Sequence, residues 1–78
     1  MAYSWTYEQK LKRDISKIIT FIDNRIAFTE QPQLAHVLLE TAQGMVTRTK
    51  GIDDHRDQRL DLQREINGMA ILMHKVCK

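Results

Sequence analysis

Leu11-Lys12-Arg13-Asp14-Ile15-Ser16-Lys17-Ile18-Ile19-Thr20-Phe21-Ile22-Asp23-Asn24-Arg25-Ile26 decides the fold. Leu11, Ile15, Ile18, Ile22 and Ile26 recur at steps of four, three, four and four. At about 100° per residue they line one side of a helix and form a core stripe. Lys10, Arg13 and Lys17 fall on the opposite, solvated side, where they could follow a row of phosphates if another element extended them. Upstream, Thr6 with Gln9 three residues on has capping-box spacing, so the helix should start between Ser4 and Thr6. Downstream, Pro32 fixes its own φ and pushes Gln31 out of helical geometry, which should stop this helix near Thr29 and start a second at Pro32.

In the second helix Leu34, Leu38, Thr41, Ala42 and Met45 are the expected buried side, with Arg48 and Lys50 near its negative end and Gly51 just past it. Asp53 or Asp54 can cap a third helix, whose Leu62, Ile66, Met69, Met73 and Val76 repeat at packing-seam spacing. The reading is all-α: an antiparallel three-helix bundle that self-associates, one domain over residues 1–78, with helices near 5–29, 32–50 and 54–77. With 78 residues, a single core supplies only about 3–5 kcal/mol. The lone cysteine, Cys77, closes no disulfide within the chain and excludes a thiolate zinc site. The longest apolar run, Met69 to Met73, cannot span a bilayer, so no membrane role and a cytoplasmic location are expected.

The formal net charge of +2 divides into +1, +1 and zero over residues 1–30, 31–51 and 52–78. No basic tail results, and strong nonspecific nucleic-acid binding is not implied. The acidic run Asp53-Asp54-His55-Arg56-Asp57 lacks the helical ligand spacings or loop pattern of a metal site, and a solvated helix start is expected. His36 and Glu40, one turn apart, suit a surface pair. With no phosphate loop, nucleophile elbow or paired catalytic residues, the sequence points away from an enzyme, and no metal or cofactor is expected.

Several apolar residues remain outside these stripes. Phe21 and Phe28 point roughly 100° from the first helix's stripe, beside Arg25, and Leu60 and Ile71 lie nearly opposite the third helix's seam, beside Arg64. Phe21, Arg25, Phe28, Leu60, Arg64 and Ile71 are therefore the expected protein-binding residues, with a homodimer the simplest assembly. Tyr3, Trp5 and Tyr7 should cap the open end of the bundle. The function expected is a non-enzymatic protein-interaction module: a small regulator, an inhibitor or a complex subunit. The alternative is a DNA-binding transcriptional regulator. Residues 34–39 and 43–48 resemble the two helices of a helix-turn-helix, offering Gln43, Thr47, Arg48 and Lys50 to nucleic acid, although Leu39-Glu40-Thr41 stands where glycine is usual.

Overall fold

The computed structural model describes residues 5–78, so the alternative start at Ser4 and the capping role of Tyr3 lie outside the described residues. Three α-helices form: α1 (Tyr7–Arg25), α2 (Pro32–Thr47) and α3 (Arg56–Val76), with a 3-10 turn at Ile52–Asp54. No strand occurs among the described residues, and the all-α class is as expected. The capping box forms: the Gln9 N–H donates to Thr6 Oγ1 at 3.1 Å and the Thr6 N–H to Gln9 Oε1 at 2.9 Å.

The helix ends correct the expected bounds of 5–29, 32–50 and 54–77. α1 stops at Arg25, four residues early, because the Arg25 carbonyl accepts from both Phe28 and Thr29 in a tight turn. The Thr29 hydroxyl accepts from the Gln31 N–H at 3.1 Å and donates to the Val76 carbonyl, tying the α1–α2 connection to the end of α3. α2 ends at Thr47: the Arg48 and Thr49 N–H groups bond three residues back. Gly51 then turns the chain at φ 71°, a left-handed conformation that costs glycine nothing.

Asp53 does not cap α3, and neither does Asp54; α3 begins after His55 without a side-chain cap. Asp53 instead caps α1. Its two carboxylate oxygens accept from the Tyr7 and Glu8 N–H groups at 3.0 and 2.9 Å, among the donors a helix start leaves unpaired. Glu8 returns the contact, Oε1 accepting from the Gly51 N–H at 2.9 Å. The start of α1 is thus clasped to the α2–α3 connection, and the Thr29–Val76 bond closes the other end.

One buried cluster joins the three helices. The α1 stripe is as expected except that Ile26 is half-buried, and all five α3 positions are buried. α2 differs. Its buried line is Ala35, Leu38, Ala42 and Met45, while Leu34 and Thr41 are exposed. Helix axes pack about 8–10 Å apart according to the side chains between them, so alanine at two of four contacts lets α2 approach closely where leucine would hold it off. Ile52, Thr49 and Cys77 also enter the interior, the Thr49 hydroxyl donating to the Val46 carbonyl at 2.7 Å.

Candidate binding surfaces

The expected protein-binding residues fall into separate groups. Phe21 is half-buried, not free. Its ring meets His74 of α3 edge-on, with centroids 4.8 Å apart. The Arg25 guanidinium lies 3.7 Å from its centroid, and Arg25 Nη1 donates to the Phe21 carbonyl at 3.3 Å. Phe28, in the turn after α1, is 83% exposed, beside a cavity of about 430 Å³ that also touches Lys75 and Lys78. Leu60, Arg64 and Ile71 lie on the outer side of α3, all exposed, with Arg64 3.7 Å from Asp61.

Beside the expected Ile71, sequence reasoning missed three outer aliphatic residues: Leu34 and Val37 of α2 and Leu72 of α3. Leu34, Val37, Ile71 and Leu72 are 45–60% exposed. On α2, Leu34, Val37 and Arg48 share a sector of roughly 60°, and on α3, Glu65 and Leu72 lie within roughly 20° of each other. Arg48 and Glu65 meet directly, Nη1 and Nη2 reaching the two carboxylate oxygens at 2.9 and 2.5 Å, so these sectors adjoin. That pair holds the Glu65 carboxyl below its ordinary range and raises Arg48. Val37 and Leu72 could have been found as apolar residues off the buried stripes. Leu34 was hidden because it was placed in the core in preference to Ala35.

The helix-turn-helix reading is corrected, since residues 32–47 are one uninterrupted helix with no turn at Leu39-Glu40-Thr41. Arg48 is engaged by Glu65, and the Thr47 hydroxyl donates to the Gly44 carbonyl at 3.0 Å. Gln43 and Lys50 are exposed but flank no recognition helix.

A second groove, about 450 Å³, runs along the outer side of α1 between Arg13 and Arg25 and includes Lys17 and Phe21. Trp5 and Tyr7 lie beyond its N-terminal end, 44% and 48% exposed. The Arg13 guanidinium lies 5.6 Å from the Trp5 ring, while Lys10 and Arg59 lie 5.6 and 3.8 Å from the Tyr7 ring.

His36 Nε2 is 3.1 Å from Glu40 as an exposed pair. Among the described residues no three of His, Cys, Asp and Glu converge as metal ligands, and no helix is long and apolar enough to cross a membrane. No family model, curated protein or solved structure matches the chain.

Proposed function

We propose that this protein is a non-enzymatic protein-interaction module, a small regulator, inhibitor or complex subunit, that pairs with a second copy of itself through the outer face of α2 and α3. The observation that supports this is the exposure of Leu34, Val37, Ile71 and Leu72 on two adjoining helices. Apolar side chains left together outside a core favour an interface. Of the residues expected from sequence, Ile71 stays in this surface with Leu60 and Arg64 at its edge; Phe21 and Arg25 cover each other elsewhere. The single cysteine supports a reducing, cytoplasmic setting.

A second copy fits the charge pattern of α3. Along its outer side Asp61 precedes Gly68, and Lys75 follows at the same spacing of seven residues. An antiparallel crossing centred on Gly68 sets Asp61 against the partner's Lys75 twice, as a two-fold axis requires. A Cβ at Gly68 would meet nothing within 4 Å, so another backbone has room to come close.

Analytical ultracentrifugation tests this. The expected result is a dimer, with Val37→Asp and Ile71→Asp each shifting the mass toward monomer at unchanged helical circular dichroism. A monomer across the micromolar range, or a mass that neither substitution alters, rejects the proposal.

A further inference from the structure

All five aromatic residues lie in the first 28 positions: Tyr3, Trp5, Tyr7, Phe21 and Phe28. None of the four described belongs to the fully buried core, which is aliphatic with methionine, alanine and Cys77. Aromatic side chains are the largest source of apolar burial available to a small domain, yet here Trp5 lies just ahead of α1, Tyr7 and a half-buried Phe21 lie on it, and Phe28 lies in the turn just past it. Three of the rings carry cations: Arg13 at Trp5, Lys10 and Arg59 at Tyr7, Arg25 at Phe21. None of these cations, nor Lys17, is ion-paired with a described carboxylate; the ion pairs engage Lys12, His36, Arg48 and Arg64 instead. Five cations therefore lie along α1 and at its start, where Glu8 is paired with Lys12 and Asp53 caps the helix, leaving Asp14 and Asp23 as the other carboxylates of α1, on a chain of net charge +2.

We infer that the outer face of α1 binds single-stranded nucleic acid. Along the groove Arg13, Lys17 and Arg25 alternate with Ser16, Thr20 and Asn24, so phosphate oxygens meet charged and neutral donors in turn. From Arg13 to Arg25 the helix rises about 18 Å, the length of about five stacked nucleotides. The aromatic residues select the single strand over the duplex. A duplex keeps its base faces stacked inside, whereas an unpaired strand offers them to aromatic rings and guanidinium planes. Phe28, in the turn just past Arg25, is 83% exposed, and the exposed Arg25 guanidinium lies 3.7 Å from the Phe21 ring centroid. An acidic protein segment would satisfy the cations but would leave these flat surfaces without matching partners.

The test is fluorescence anisotropy of the full-length chain with labelled 12-nucleotide single strands, DNA and RNA, and with a 12-base-pair duplex and polyglutamate for comparison. The single strands should bind most tightly, with log affinity falling against log salt at a slope of about −2 to −4 for three to five phosphate contacts. The double variant Arg13→Glu, Lys17→Glu should weaken binding at least about tenfold and flatten that slope. Phe28→Ala should weaken it about fivefold or more at an unchanged slope, because it removes stacking and no charge. Ile71→Asp should leave binding intact, which separates this face from the pairing surface. Circular dichroism confirms that each variant is folded. No binding at low salt, duplex or polyglutamate binding as tightly as the single strands, or a neutral Phe28→Ala would overturn the inference.

Discussion

Asp53 stands 46 residues from the Tyr7 N–H that it accepts, and it is the residue whose role sequence proximity most misrepresents. A helix-start carboxylate was expected to serve the nearest helix; the fold presents it to α1 instead. Losing a capping side chain costs about 0.5–2 kcal/mol, so Asp53→Ala should lower the thermal midpoint. Asp54→Ala, which removes a carboxylate with no capping contact, should leave the midpoint nearly unchanged. Equal effects from both substitutions would remove the special role of Asp53. Glu8, the other half of the clasp, has a pH signature. The Gly51 N–H first, and then Lys12, hold its carboxyl below its ordinary value of 4.5. A depressed folded-state value gives a stabilising contribution that is full above pH 4.5 and lost as pH falls through that depressed value. Urea midpoints should fall as the pH drops below 4.5, and Glu8→Gln should shrink that fall.

At the scale of elements, the stripes of α1 and α3 were legible because branched or long apolar residues recur at helical spacing with polar residues elsewhere. α2 was legible as a helix but not in its orientation. Leu34 and Ala35 are both apolar, and burial preference favours the larger, whereas close packing against the other helices favours the smaller. The start of α1 was legible from the Thr6–Gln9 spacing, but the ends of α1 and α2 follow from local turn bonds at Arg25, Arg48 and Thr49, and the ties of Thr29 to Val76 and Asp53 to α1 are tertiary, none of which periodicity can carry. Gly44 and Gly68 sit inside helices with nothing within 4 Å of where a Cβ would stand. Glycine in a helix interior costs about 1 kcal/mol relative to alanine. Gly44→Ala should therefore raise the thermal midpoint of the chain. Gly68→Ala should raise it in dilute protein while weakening self-association, because the added methyl lies at the proposed crossing. A gain in stability with unchanged association would argue against a crossing at Gly68.

For the whole molecule, shape and charge tell more than composition did. The radius of gyration is 13.5 Å and the extents are 42 × 29 × 18 Å, larger than the about 11.5 Å expected for a compact chain of this length. An elongated bundle buries less of each helix, which leaves apolar surface for a partner. If pairing contributes to stability, the thermal midpoint should rise with protein concentration, and Ile71→Asp should abolish that rise. A midpoint independent of concentration in the unsubstituted chain would show that pairing adds nothing to stability. The row of Lys10, Arg13 and Lys17 was legible from helical spacing, but the addition of Arg59 was not, because charge counted along the chain averages it with the carboxylates around it. Only the fold brings Arg59 to Tyr7 at the start of α1.

The aliphatic interior also governs how this molecule can be watched. Its single tryptophan, Trp5, lies ahead of α1, outside the buried core and 44% exposed, with Arg13 5.6 Å from its ring. Its emission reports the packing at the start of α1 rather than the aliphatic core, so an unfolding curve read from intrinsic fluorescence follows that end of the molecule first. The same indole, beside Arg13 at the end of the cationic groove, is well placed to be quenched by whatever stacks there. Its optical signal should follow the start of α1 and the groove beside it more directly than the interior.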